Sequence, residues 1–266
     1  MKILKIQQNS EEWLEFRRGK SGGSEFGDLF PTKSPLKSDI VSILESKGIE
    51  FKKTDTVGVL LKKLEPQDIA VLKLEMDLKD HYYELLAHSV ARDLTPNDYA
   101  DRIPNIANMS KLEFAAARGH LLESEARKAV SDKLKIQFEG ENEVWVSDEC
   151  DDIYVSPDGW KTDDDGKIRV ALEIKCLNSI EIIKANRTGK YPDKYYPQVC
   201  KYFMVNDNLE TLYFAMYTDL IPGLELQLWK IERRDVASDI KIMKIFEHKI
   251  MERLRSDREE IERLGF

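Results

Sequence analysis

The spacing of apolar positions divides the chain into a helical first half and a second half in which strands enter. Trp13 and Phe16 stand at helical spacing, and Gly19, Gly22 and Gly23 then interrupt the pattern. Ser24 is placed to cap a second short helix over 25–30. Residues 31–35, with a proline at each end, read as a linker. A self-contained unit follows over 36–65. It predicts a helix over 38–47 stopped at Gly48, an alternating extended run over 49–53, and a helix from Val57 to Leu64 ended by Pro66. Residues 67–137 read as helical, with loops at Pro96 and Pro104 and a long helix over 111–134. From Val144 the period changes to two. Strands are predicted over 152–156 and 167–177, joined by the hairpin-turn composition Asp163-Asp-Asp-Gly166, and again over 211–217 and 224–231. Helices return over 179–186, 197–205 and 235–264. The pattern predicts an α/β fold in one domain spanning 1–266, interrupted by the insertion 36–65.

Composition narrows the class. The 266 residues are 42 % hydrophobic, with ten Phe, ten Tyr and four Trp, which suits a full core and excludes a disordered chain. The longest apolar runs, such as 212–217, fall far short of the roughly 20 residues of a membrane span. Met1-Lys-Ile-Leu-Lys-Ile6 offers no apolar core of a secretory signal, so a cytoplasmic protein is expected. Cys150, Cys176 and Cys200 are too few and too far apart for a disulfide framework, a zinc site or an iron–sulfur cluster.

The net charge of −8 argues against bulk electrostatic attraction to nucleic acid. Its distribution is uneven. Residues 1–63 carry 12 Lys and Arg against 9 Asp and Glu, and the remainder carries 29 against 40. Eleven acids fall within 139–166 with Lys161 as the sole base there. Such a run is ordinarily a solvated loop set, and it is also what a divalent cation needs nearby.

Glu173-Ile-Lys175 is the centre of the chemical reading. The acid-x-lysine triplet alone decides nothing, since six others occur, Glu45/Lys47 and Asp239/Lys241 among them. Its setting singles it out. Ile168, Val170, Leu172, Ile174 and Cys176 fall on one face of a strand, and Glu173 and Lys175 project together from the other, about 6–7 Å apart. If 152–156 and 167–177 form a hairpin, Asp158 pairs near 170–172, and its carboxylate comes within diagonal reach of Glu173. Ser156-Pro-Asp-Gly159 is also a common turn sequence. Glu123 borders the inner face of helix 111–134, marked by Gly119, Leu122, Ala126 and Val130. A salt bridge to Arg127 or Arg118 would account for it equally well.

Five motifs, in order, carry a family resemblance. They are Trp13-x3-Arg17-x-Gly19-x4-Ser24-Glu25, Gly119-x3-Glu123-x-Glu125-Ala126-Arg127, Ser156-Pro-Asp158-Gly159, Leu172-Glu173-Ile174-Lys175-Cys176 and Tyr196-x-Gln198-Val199. The set resembles bacteriophage lambda exonuclease and the YqaJ-type viral recombinase nucleases of the PD-(D/E)xK superfamily, over nearly the whole chain except about 31–66. The resemblance implies a restriction-endonuclease-like core, a mixed β-sheet flanked by helices. It implies a 5′→3′ double-strand DNA exonuclease of phage or prophage recombination, dependent on Mg²⁺ or Mn²⁺. Asp158, Glu173 and the backbone carbonyl of Ile174 would bind the ion, and Glu123 would bind or orient a second. Lys175 would position and help deprotonate the attacking water, and Gln198 would hold the site in shape. Arg17 and Ser24, with backbone N–H groups near Gly23, would receive the terminal 5′-phosphate. A ring-shaped homotrimer working with a single-strand annealing protein is implied as well.

The motif before Ser24 departs from the lambda pattern. It reads Lys20-Ser-Gly-Gly23, where that pattern has an apolar residue and a threonine. The unit 36–65 resembles the small helix–extended–helix modules of the SAP and LEM groups, several of which bind DNA. A surface insertion with solvated lysines is the plainer reading of it. Two alternatives to the exonuclease stand: a related restriction-like endonuclease, and a non-catalytic protein that binds DNA ends.

Overall fold

A computed structural model describes residues 1–76 except 9 and 32, residue 82, residues 111–140, and residues 143–263 except 178, 220 and 222. The strands are β1 (Lys2–Lys5), β2 (Glu143–Val146), β3 (Tyr154–Val155), β4 (Gly159–Thr162), β5 (Ile168–Cys176), β6 (Thr211–Tyr217) and β7 (Leu226–Glu232). The helices are α1 (Glu11–Arg17), α2 (Phe26–Leu29), α3 (Lys37–Ser46), α4 (Val57–Leu61), α5 (Pro66–Leu74), α6 (Lys111–Leu134), α7 (Ser179–Thr188), α8 (Tyr196–Val205) and α9 (Arg233–Arg263).

The main sheet runs β4-β5-β6-β7 and is mixed. β5 pairs antiparallel with β4 and parallel with β6, and β7 returns antiparallel to β6. Alternation along β5 sends successive side chains to opposite layers. Leu172 and Ile174 pack with Ala126 and Val130 of α6, whereas Ala171 joins Val199 and Phe203 of α8 and Phe246 of α9. The sheet is thus covered by α6 on one side and by α8 and α9 on the other. A second, antiparallel sheet, β1-β2-β3, lies beside it, and its Trp145 stacks edge-on against Trp160 of β4.

Several local expectations give way. The turn at Asp163–Gly166 forms, with Gly166 at φ +76, but the strand ahead of it is β4. Tyr154–Val155 pairs with β2 instead. Gly159-Trp-Lys-Thr162 has no clean alternation, so its pairing with β5 is set by tertiary contact. Ile168 leaves the face of Val170 and Leu172 for the opposite core, beside a register shift between Lys161 and Thr162. No strand forms over 49–53; Lys52 to Asp55 make a turn, with Lys52 N donating to Asp55 Oδ2 at 3.0 Å. Pro66 opens α5 rather than ending α4, as suits a ring that fixes φ and lacks an N–H. Ser24 does not cap α2; Glu25 holds that position, without a side-chain bond. The loops at Pro96 and Pro104 lie outside the described residues.

Within the 36–65 unit, Ile40, Leu44, Leu60 and Leu64 form a separate apolar cluster that also takes in Leu72 of α5. Ala70, two residues before Leu72, belongs to the main core. α5 therefore carries the unit on one side and packs on the domain with the other.

Candidate active site

Glu173 lies near the middle of β5, on the face turned to α8. Its carboxylate is buried, 2 % exposed, and three donors hold it. Gln198 Nε2 donates to Oε1 at 2.7 Å, and Lys175 Nζ stands 2.7 Å from the same oxygen. Tyr202 donates its hydroxyl to Oε2. Gln198 and Tyr202 are four residues apart on α8, so one helical face presents both. Sequence reasoning missed Tyr202. The helical spacing from Gln198 was the available signal.

Asp158 precedes β4. Its N–H donates to the Leu172 carbonyl at 3.1 Å, and its Oδ2 accepts from Ile174 N at 2.5 Å. Backbone groups of 172 and 174 face the same side of the strand, so the Ile174 carbonyl also points toward Asp158, past the end of β4. Loss of hydration, then the charges of Glu173 and Glu123, push the Asp158 carboxyl well above the usual carboxylate range. The three acids are thus near neighbours. Burial works against the Lys175 ammonium, but Glu173 and Asp158 outweigh it and leave its pKa raised. Lys175 is therefore a cation at neutral pH. Burial, then Glu173 and Asp158, also raise the Tyr202 hydroxyl well above its ordinary value, so it stays a donor. Glu123 forms the ion pair with Arg127, at 3.0 Å, while Arg127 also donates to the Gly140 carbonyl at 2.7 Å. The bridging arginine and the nearness to Asp158 hold together.

Arg17 and Ser24 form a second group. Arg17 pairs with Glu25, donates from Nε to the Tyr154 hydroxyl at 2.8 Å, and lies 4.1 Å over the Trp13 ring. Ser24 stands exposed in the next turn. The glycine turn there is closely packed. A Cβ on Gly22 would come 2.7 Å from the Tyr154 hydroxyl, and one on Gly23 would come 3.0 Å from Val155 Cγ1 and 3.9 Å from Gln198 Cγ. The glycine turn thus abuts the residue that holds Glu173, and the two groups are neighbours.

The donor set near Asp158 is hard oxygen, which suits Mg²⁺ or Mn²⁺. The raised Asp158 carboxyl marks crowded negative charge that a cation would relieve. Among the described residues no group of three His, Cys, Asp or Glu side chains is gathered closely enough to hold an ion, so Asp158, Glu173 and the Ile174 carbonyl would be its holders. Asp158 with a raised pKa contributes stability at low pH, and that contribution is lost as pH rises through the folded-state pKa. Asp158→Asn keeps an acceptor for Ile174 N and removes the repulsion. With chelator at neutral pH, its thermal midpoint is expected to rise by about 2–4 °C, which is about 1 kcal/mol for a chain of this size. A lower midpoint in calorimetry would show that the acids are already relieved.

Comparison with known proteins fixes the family. A sequence model of the YqaJ-like viral recombinase domain matches residues 12–209. The chain belongs to this family. The matched span of the YqaJ-like domain contains every residue of both groups, from Arg17 to Tyr202. Among solved structures, an alkaline exonuclease from Laribacter hongkongensis aligns over 96 % of this chain and 98 % of its own, with TM-score 0.60 and 18 % identity. The same enzyme in complex with dAMP aligns at TM-score 0.57 and 18 % identity over 96 % and 100 %. These likenesses establish a PD-(D/E)xK-like fold for the YqaJ-like chain. No curated protein matches the sequence. Among the described residues no helix is long and apolar enough to cross a membrane.

Proposed function

We propose that the chain is a Mg²⁺- or Mn²⁺-dependent exonuclease that hydrolyses duplex DNA 5′→3′ from phosphorylated ends. The observation that carries this reading is the meeting of Asp158, Glu173 and Lys175 beside the turn of Arg17 and Ser24. Membership of a viral recombinase family supports it, as does the likeness to an alkaline exonuclease crystallised with dAMP.

Asp158, Glu173 and the Ile174 carbonyl would hold the ion, with Glu123 toward a second. A bound divalent ion would neutralise the scissile phosphate and lower the pKa of its water. Gln198 and Tyr202 keep the Glu173 oxygens fixed. Lys175, kept protonated by its neighbours, donates to the phosphate oxygen or the water rather than taking a proton in the ion-free state. Arg17, held ready by Glu25, exchanges that carboxylate for the terminal 5′-phosphate, and Ser24 adds a hydroxyl.

The test is digestion of a linear duplex carrying one 5′-phosphate and one 5′-hydroxyl end, with Mg²⁺ and with chelator. Hydrolysis is expected only with the ion and mainly from the phosphorylated end. Arg17→Ala is expected to lose most of that preference, a charge-assisted contact being worth roughly 10–150-fold, while still cutting slowly. Equal rates at both ends in both proteins would remove the end-binding role.

The reading extends to a homotrimer in the bacterial cytoplasm, working with a single-strand annealing protein. It also treats 36–65 as an insertion that engages DNA or a partner. Deleting 36–65 with a short Gly/Ser bridge is expected to leave turnover at saturating DNA while weakening DNA or partner binding several-fold. A deletion variant that fails to fold, judged by circular dichroism, would make the unit part of the main domain.

A further inference from the structure

Three buried polar side chains take no part in the chemistry above. Lys201 of α8 is fully buried, and Glu247 of α9 and Ser21 are each 1 % exposed. Lys201 Nζ contacts Glu247 Oε1 and stands 2.9 Å from Ser21 Oγ and 3.1 Å from the Ser21 carbonyl. Ser21 Oγ donates to Glu247 Oε1 at 2.6 Å. Lys201 Nζ also lies 4.8 Å over the ring of Phe26, the first residue of α2. Burial pushes the Lys201 amine well below the ordinary lysine pKa, and its contacts tie together α9, the residue before the glycine turn, and the helix after it.

Stability alone does not account for such a group. Replacing a buried ion pair by apolar side chains is often neutral or stabilising. Its place in the fold says more. Lys201 follows Gln198 by three residues and precedes Tyr202, the two residues that hold Glu173. Ser21 leads directly into Gly22, Gly23 and Ser24. Its N–H donates to the Asp152 carbonyl at 2.9 Å, and its carbonyl accepts from Tyr154 N at 3.2 Å; Tyr154 in turn accepts from Arg17. A single helix turn of α8 thus ties the catalytic carboxylate to the segment that carries the end-binding residues.

We propose that Lys201 and Glu247 are positioning residues that set the place of the glycine turn relative to Glu173, so that recognition of a 5′-phosphate depends on this buried pair. The proposal rests on the reading of Arg17 and Ser24 as the phosphate site.

The variant Lys201→Met/Glu247→Leu removes both polar partners together and keeps the core filled. Misplacing a support by about 1 Å can cost up to 10²-fold, so KM for 5′-phosphorylated duplex is expected to rise about tenfold and the preference for phosphate over hydroxyl ends to fall about tenfold. The kcat at saturating DNA stays within about twofold, because Glu173, Gln198 and Tyr202 are untouched. Ser21→Ala, which removes a single oxygen, is expected to lower the same preference by a smaller factor, and it decides the matter if the double variant does not fold. A thermal midpoint that moves while KM and end preference stay at wild-type values overturns the proposal and leaves a structural lock. If the wild type itself ignores the end group, the phosphate-site reading fails and the proposal fails with it. If the wild type discriminates and the variants discriminate equally, the proposal alone fails.

Discussion

Glu173→Gln is expected to lower phosphodiester hydrolysis by about 10³-fold or more in Mg²⁺, since a lost metal carboxylate removes several kcal/mol of transition-state stabilisation. The choice of glutamine follows from the structure. As a residue on the open face of a strand, Glu173 reads as removable by alanine without cost. It is instead buried, with Gln198, Lys175 and Tyr202 all directed at it. Alanine would take the Glu173 acceptor from Gln198 and Lys175 and leave Tyr202 with the Ser156 carbonyl alone, 2.9 Å away; at about 1–3 kcal/mol for each buried group left unpaired, it would confound lost chemistry with lost stability. Glutamine keeps the shape and one oxygen, and the Tyr202 hydroxyl can turn to accept. The measurement pairs the rate on linear duplex with the thermal midpoint. A variant that keeps its midpoint within a few degrees and more than a tenth of the wild-type rate would remove Glu173 from the ion site.

The parts legible in the sequence are those with a long, regular period. α6 and β6 have the bounds the pattern predicts, and α9 lies within two residues of them at each end, because each carries a long run of one regular character: helical spacing in α6 and α9, and an apolar run in β6. Short elements whose form depends on partners were not legible. β1, Lys-Ile-Leu-Lys, is exposed along its length and exists through pairing with β2. β4 is fixed by β5 and by the Trp145–Trp160 contact. The wrong hairpin partner for β5 still gave nearly the right place for Asp158, because Gly159 lies opposite Leu172 whichever strand is named. Arg17, Asp158, Glu173 and Gln198 could be named because the motifs carry them, and the register of 158 against 170–172 also brought Asp158 toward Glu173, but the packing of the Arg17 turn beside Gln198 was not legible. The Tyr202–Glu173 bond and the Lys201–Glu247 contact join residues far apart in sequence, and the Arg17–Glu25 pair closes across the glycine turn; periodicity is silent on all three. Lys201 left one trace, a lysine within the otherwise apolar run 199–205 of a helix buried along its whole length.

Lys175→Met is expected to lower turnover by ~10²–10⁴, the range of a positioned proton-handling or charge-donating group, while leaving DNA binding in place. Its effect on the ion separates a chemical role from a structural one. Lys175 Nζ already occupies a cation's position, 2.7 Å from Glu173 Oε1, and the charges of Glu173 and Asp158 keep it protonated. An incoming divalent ion must share those carboxylates with it. Removing the ammonium leaves Asp158 and Glu173 less compensated, so their demand for a cation rises and Mg²⁺ affinity is expected to increase slightly or stay level. A residue that merely held the carboxylates in place would behave in the opposite way, since its loss would let them move apart and weaken the ion. Titrating Mg²⁺ by calorimetry on Lys175→Met, alongside single-turnover rates at saturating ion and DNA, distinguishes the two. Slow turnover with undiminished Mg²⁺ affinity assigns Lys175 to the reacting phosphate and water. Slow turnover that recovers at high Mg²⁺ assigns it to support of the ion site, and unchanged turnover makes it a structural partner of Glu173.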